Sequence, residues 1–513
     1  MDKRLWLSLA VASWTGLESV QAAQPEQRPN IILFLVDDMG WQDTSVPFWK
    51  QRTSSNEKFE TPNMERLAAQ GMKFTQAYAC SVSSPSRCSL FSGMNAARHR
   101  VTNWTYPKNK TTDQKSDVLL LPEWNMNGIC QVAGIEHTCQ VTSLAQVLKD
   151  NGYHTIHCGK AHFGALNTPG ESPYHMGFEV NIAGHAGGAP TSYLSEENYG
   201  NRTDGKPNPW FAVPGLEHYW GKDVFLSEAL TLEAKKALDK ARQYHQPFFL
   251  YMAHYAVHVP IDKDRRFYQK YLDKGLSPKE AAYASLVEGM DKSLGDLMDY
   301  LEKYQLADNT IILFMSDNGG LSAEPAWRDG ELHTQNAPLN SGKGSAYEGG
   351  IREPMIVKWP GVTAAGTICE KPLIIEDFYP TILEMAGIKQ YKTVQKIDGV
   401  SFMPLLNHTG DPSEGREFYW NFPNLWGNTG PGIGATATIR KGDWKLIYYY
   451  ESGRKELFNI REDIGESRNC EEQYPKLVKK LSKRLGNYLR KVKAQRPAYK
   501  ATASPVPWPD EVR

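Results

Sequence analysis

Two stretches restrict the fold more than any others: "PNIILFLVDDMGW" (29–41) and "TIILFMSDNGG" (310–320). Each is an unbroken apolar run of strand length that ends abruptly in two oxygen-bearing side chains. A strand apolar at every position has no face for water, so both its faces must be covered. That is the situation in a mostly parallel sheet sandwiched by helices. "PFFLYMAHYAVHVP" (247–260) has the same character and ends in histidines. Helical patterns alternate with these runs. In "TPNMERLAAQGMKFTQAY", Thr61 and Pro62 open a helix, Leu67 and Ala68 face inward, Gly71 closes it, and a strand starts at Lys73. A helix from Ser143 stops at Gly152 and leads to a strand ending near Cys158. Leu286, Met290, Leu294 and Leu297 recur at helical spacing before the second acid-ended run. "PMIVKWPG" and "DFYPTILEMAGI" add a strand and a helix. Alternation of this kind predicts an α/β fold with its chemistry just past the strand C-termini.

After about Leu405 the pattern changes. "ATATIRKGDWKLIYYY" and "RKELFNIREDIGES" read as antiparallel strands, and "YPKLVKKLSKRLGNYLRKVKAQ" as an amphipathic helix. The expected organisation is an α/β domain over 23–405 and a smaller α+β subdomain with an antiparallel sheet over 406–513. Residues 1–22 read as a signal peptide: Lys3 and Arg4 precede a short apolar run, and Val20-Gln21-Ala22 offers a small-x-small cleavage site. That run is too short to span a bilayer. The mature protein is expected to be exported, periplasmic or secreted, without a membrane span. Lys plus Arg and Asp plus Glu both total 58, so there is no basic excess of the kind a nucleic-acid binder shows. The seven Cys include no CxxC pair, and Cys130 with Cys139 is the nearest candidate for a disulfide.

Asp37 and Asp38 close the first strand, and Asp317 and Asn318 a late one. Either pair alone would serve as a cap or turn. Both pairs at the ends of buried strands favour a hard-cation site, for Ca²⁺ or Mg²⁺. Lys160 and His162 in "GKAHFG", His258 in "AHYAVHVP" and Lys343 in "NSGKGSAYEGGIREP" would complete a pocket for a tetrahedral anion. His254, inside an apolar strand pattern, reads as a core residue.

"SSPSRCSLFSG" (83–93) resembles the sulfatase signature: C or S, any, P, S, R, any, any, L, any, T or S, G. "NIILFLVDDMGW", "GKAHFG", "HVP", "MSDNGG" and "GKGSAYEGGIREPMIVKWPG" resemble further blocks of that family, in order, over most of the chain. The resemblance implies an alkaline-phosphatase-like fold and a nucleophile made by oxidising the first signature residue to formylglycine. Here that residue is Ser83; Cys80 and Cys88 are out of register with Pro85. A serine there suggests a bacterial protein matured by a radical-type, anaerobic enzyme. By motif position, Asp37, Asp38, Asp317 and Asn318, with residue 83, would ligate one Ca²⁺. Arg87 would hold the formylglycine hydrate, Lys160 and Lys343 would bind sulfate, and His162 would orient or deprotonate the hydrate. His258 would act on the leaving oxygen, with Lys343 sharing that role.

Ala161 and Phe163 stand where the family often has Trp and Leu, which implies altered packing rather than lost chemistry. The expected activity is sulfate-ester hydrolysis, on carbohydrates. A phosphomonoesterase or phosphodiesterase of the same superfamily, or a non-catalytic sulfated-glycan binder with unmodified Ser83, are the alternatives. The stretches 123–137 and 181–200 match no family block and are expected to shape the substrate pocket. His99, Arg100, Trp104, His185, Trp327, Arg328 and His333 are candidate sugar contacts.

Overall fold

A computed structural model describes residues 28–322, 333–427 and 429–512. The expected signal peptide, Trp327 and Arg328 lie outside the described residues. Among those described, no helix is long and apolar enough to cross a membrane.

The centre is a nine-stranded sheet. Its spatial order runs Thr367–Cys369, Met72–Tyr78, Arg352–Lys358, Thr310–Ser316, Asn30–Val36, Phe248–Ala253, His154–Gly159, Val180–Ile182, with Leu373–Ile374 also on Met72–Tyr78. All pairings are parallel except those of Arg352–Lys358, which is antiparallel to both neighbours. The fold is the expected α/β type, a mostly parallel sheet between helical layers.

Every residue of Asn30–Val36 and Thr310–Ser316 is buried. Alternate side chains serve opposite cores, as a period of two requires. Ile32, Phe34 and Val36 join one core with the long helix Pro278–Lys303; Ile31, Leu33 and Leu35 join the other with the helices Ser83–Ser92 and Phe378–Met385. Phe402, Leu405 and Leu406 still belong to that second core.

Beyond it, Glu417–Phe422, Thr436–Lys441, Trp444–Tyr449 and Lys455–Asn459 form a four-stranded antiparallel sheet, covered by the helix Pro475–Lys491. A buried ion cluster fastens this sheet to the α/β body. Lys445 Nζ lies 3.0 Å from Glu348 Oε1 and 2.8 Å from Glu466 Oε1, with all three side chains fully buried. Tyr78 donates to Glu348 Oε2 at 2.6 Å, and Trp420 Nε1 donates to the Ala79 carbonyl at 2.8 Å. Burial would raise the Glu348 carboxyl, but Lys445, Arg352 and Arg440 hold it down to about 2.

All seven cysteines are free thiols. Cys130 and Cys139 sit on adjacent short strands, but Cys130 Sγ is directed to the Val132 carbonyl and Cys139 Sγ to the Gln140 carbonyl. The sequence-based pairing is corrected accordingly.

Replacing Lys445 by Met removes the one cation that, among the described residues, bridges Glu348 and Glu466. Stranding a buried charge in this way costs about 3–5 kcal/mol. The expected outcome is a lower urea unfolding midpoint for Lys445→Met, whereas Lys455→Met, on a neighbouring strand, changes it much less.

Candidate active site

Strand register builds the site. Val36 pairs with Ser316, so Asp37 and Asp38 leave one strand beside Asp317 and Asn318 leaving the next. Asp38 takes a left-handed turn (φ 59°) directly after the strand, and its N–H donates to Asp317 Oδ1 at 3.3 Å. Asn318 Nδ2 donates to Asp38 Oδ1 at 2.7 Å. All four side chains are buried.

Ser83 opens the helix Ser83–Ser92, every residue of which is buried. Pro85 is tolerated in the first turn, where backbone N–H groups have no intrahelical partner, and Gly93 (φ 66°) ends the helix in the left-handed conformation. The helix carries polar residues into the core because each finds a partner. Ser89 meets His99 at 2.9 Å, Ser86 holds the Cys80 N–H at 3.0 Å, and Arg87 Nε donates to Asp317 Oδ2 at 2.9 Å. Ser83 Oγ lies 3.2 Å from Asp37 Oδ1 and 3.1 Å from Asn318 Oδ1, and accepts from Lys160 Nζ at 3.0 Å.

Lys160 follows the strand His154–Gly159. Its N–H donates to the Ala253 carbonyl at 2.7 Å and its Nζ to Asp37 Oδ2 at 2.7 Å. Gly159 (φ 104°) permits this close approach: a Cβ there would stand 1.9 Å from the Ala253 oxygen. Lys343 Nζ lies 2.7 Å from Asp38 Oδ2 and 5.6 Å from the centre of the Trp426 ring. His258 Nε2 is 3.5 Å from Asp38 Oδ2, and its Nδ1 is 2.8 Å from the Val259 carbonyl. A carbonyl only accepts, so Nδ1 carries the proton of the neutral ring. Burial first, then the Lys343 charge, lowers the His258 imidazolium well below its usual range. His162 stands on the cleft wall but does not bond Ser83. Its Nε2 meets Ser84 Oγ at 3.0 Å and the Thr105 carbonyl at 2.9 Å.

The donor set suits a hard divalent cation. Asp37, Asp38 and Asp317 bring three carboxylates and Asn318 an amide oxygen, all hard ligands. One ligand atom each from Asp37, Asp38 and His258 lies within 4.8 Å of the others. Burial raises the Asp37 carboxyl to about 8; Lys160 pulls it down, while repulsion from the neighbouring Asp317 and Asp38 carboxylates pushes it up. A cation between these groups relieves that repulsion. Arg87 Nη2 is buried and has no hydrogen-bond partner among the described residues, although Nη1 serves the Lys160 carbonyl and Tyr251. One more oxygen in this cluster would satisfy it.

Ser83, His162, His258 and Lys343 open onto a cleft of about 730 Å³. Its walls include Trp104, Gln114, Gly188 to Thr191, Trp210, Phe211 and Trp426. Of the candidate sugar contacts, Trp104 is there and four others are not. His99 is fully buried against Ser89, and Arg100 donates to the Lys493 carbonyl. His333 packs on Tyr283, and His185 sits behind His162, whose N–H meets the His185 carbonyl. The 181–200 stretch contributes to the wall as expected, but 123–137 does not. His254 is a core residue, bonded to Ser293 at 2.9 Å and packed on Phe34. Sequence reasoning missed Trp210 and Trp426. Both lie in segments rich in Gly, Pro and Asn, the only available hint.

The family model described as Sulfatase matches residues 29–388. The chain belongs to the sulfatase family. The sulfatase also matches the N-sulphoglucosamine sulphohydrolase C-terminal model over residues 342–493. It is 30% identical over 533 residues to a sulfatase of Formosa agariphila, covering 94% of this chain and 92% of that one. It is 33% identical over 411 residues to the N-acetylgalactosamine-6-sulfatase of Rattus norvegicus, covering 78% of this chain and 69% of the other. The crystal structure of Ps i-CgsB superimposes with a TM-score of 0.73 at 27% identity, over 90% of this chain and 93% of that one. The same protein has been solved in complex with k-i-k-neocarrahexaose, matching at a TM-score of 0.67, 26% identity and 90% and 93% coverage. The enzyme is therefore a sulfuric ester hydrolase.

Gly188 packs on the His162 ring; a Cβ there would lie 2.4 Å from Cε1. His162 is held by Ser84 and Thr105, so Gly188→Ala is expected to displace the ring. Sulfate release should fall on the order of tenfold to a hundredfold, with little change in thermal midpoint. Activity assay and thermal melt of the same preparation check both.

Proposed function

We propose that this sulfatase removes sulfate esters from carbohydrates, using a formylglycine derived from Ser83 and one bound Ca²⁺. The observation that carries the reading is the place of Ser83 Oγ, shared between Asp37, Asn318 and Lys160 at a helix N-terminus. Asp37, Asp38, Asp317, Asn318 and residue 83 would hold the ion, which supplies a Lewis acid for a sulfate oxygen and lowers the pKa of the nucleophile. Oxidation of Ser83 by a maturation enzyme, with loss of two hydrogens, gives an aldehyde whose hydrate offers one hydroxyl to attack sulfur and a second whose proton loss expels sulfate.

The chain's own residues set the rest. Arg87, with its spare Nη2, holds the second hydroxyl. Lys160 and Lys343 bind the sulfate oxygens, and the helix N-terminus adds favourable potential for an anion. His162 is a positioning residue, since it holds Ser84, the neighbour of the nucleophile, rather than Ser83 itself. Lys343 and His258 meet the leaving oxygen. With Nδ1 of His258 committed to Val259, Lys343 is the group that brings a proton there. Trp104, Trp210 and Trp426 offer flat apolar faces for a sugar ring. A carbohydrate substrate agrees with the relatives named for N-acetylgalactosamine 6-sulfate and solved with neocarrahexaose. Export to the periplasm or medium, and maturation by an anaerobic-type enzyme, belong to the same reading. The signature at Ser83 speaks against a phosphatase, which has no use for formylglycine.

Two outcomes are expected. Mass spectrometry of the Ser83 peptide, from protein made beside a maturing enzyme, shows a loss of about 2 Da, and Ser83→Ala releases no sulfate while keeping the wild-type melt. Retained serine in protein that still binds a sulfated glycan would instead favour the binding-protein alternative. Ca²⁺ raises the thermal midpoint of the wild type, as any ligand of the folded state does. Asp317→Asn loses that rise, as calorimetric titration with Ca²⁺ would confirm independently of turnover.

A further inference from the structure

The helix Pro475–Lys491 carries a charge distribution that the active site does not use. From Lys476 to Lys493 there are eight Lys and Arg and no Asp or Glu, in a chain whose acidic and basic totals are equal. The apolar face of the helix is already covered: Leu481, Leu485 and Leu489 are buried, and Leu477 and Val478 pack on the same core. Arg484 and Arg490 are ion-paired with Glu417 and Asp510. Lys476, Lys479, Lys480, Lys483 and Lys491 are exposed, and none pairs with another group among the described residues. At 100° per residue these five lie within about 60° of one line along the helix, a stripe roughly 22 Å long at 1.5 Å per residue. Like charges one turn apart destabilise a helix, so the stripe has a cost when nothing neutralises it. At its N-terminal end Tyr474, 45% exposed, leans on Trp444 with ring centroids 4.9 Å apart.

We propose that this face binds a sulfated polysaccharide chain, away from the catalytic cleft. The lysines neutralise successive sulfate groups, and the Tyr474–Trp444 pair lies under a sugar ring. The inference rests on the reading that the substrate is a sulfated glycan, and it adds a second place where the polymer is held. A row of cations along one helix face, with flat aromatic faces at its end, matches a linear polyanion built from rings. A lipid surface fits less well, because interfacial helices insert an apolar face and here that face is used inside the fold.

The test uses the full-length protein and dextran sulfate as probe, with uncharged dextran, duplex DNA and phosphatidylserine vesicles as comparators. Wild type is expected to bind dextran sulfate in a salt-dependent way and to bind the comparators weakly. The combined variant Lys476→Gln/Lys479→Gln/Lys480→Gln/Lys483→Gln is expected to bind on the order of tenfold more weakly, with a thermal midpoint no lower than that of the wild type, since like-charge repulsion along the helix is relieved, and with unchanged sulfate release from a monosaccharide. Tyr474→Ala is expected to weaken binding without reducing its salt dependence. Equal binding of dextran sulfate by wild type and the combined variant overturns the proposal. So does DNA or vesicle binding as tight as that of dextran sulfate. A protein that binds dextran sulfate through this stripe yet desulfates no glycan supports the surface and sinks the proposed activity instead.

Discussion

The whole site depends on the register between two strands with no polar face. Asn30–Val36 and Thr310–Ser316 are parallel, adjacent and in step, so their C-terminal residues emerge together. A slip of one residue would turn every side chain toward the other core and separate the carboxylates. Two hydrophobic layers oppose that slip, one on each face of the sheet. The apolar packing therefore fixes where the charges stand.

Those charges explain one another. Three buried carboxylates, Asp37, Asp38 and Asp317, face three buried cations, Arg87, Lys160 and Lys343. The protein groups alone balance, so a divalent ion held there would make the centre positive and suited to a sulfate ester. The balance also makes each partner hard to remove, since any deletion strands a charge where water cannot reach it.

The strand ends and the single residues Lys160, His258 and Lys343 were legible in the sequence because each follows from a local pattern: a buried run, a stop, a chemically suited side chain; Ser83 was legible through its resemblance to the sulfatase signature. What lay hidden was everything assembled by distant loops. His99 and His333 look like surface histidines in the sequence, yet Ser89 and Tyr283 receive them inside the fold. Trp210 and Trp426 sit in stretches without periodicity, so nothing local says that they face the cleft. His162 matched the motif, but its ring nitrogen meets Ser84 rather than Ser83, on a backbone in the left-handed region (φ 55°).

Trp426 comes from the part of the chain that follows the catalytic core, just past the strand Glu417–Phe422, and yet it borders the cleft beside Lys343. The cleft is thus assembled from two separate segments of the chain, one bringing Ser83 and Lys343 and the other Trp426. A substitution at Trp426 can therefore reshape the mouth of the cleft while leaving the carboxylates and cations at its floor in place.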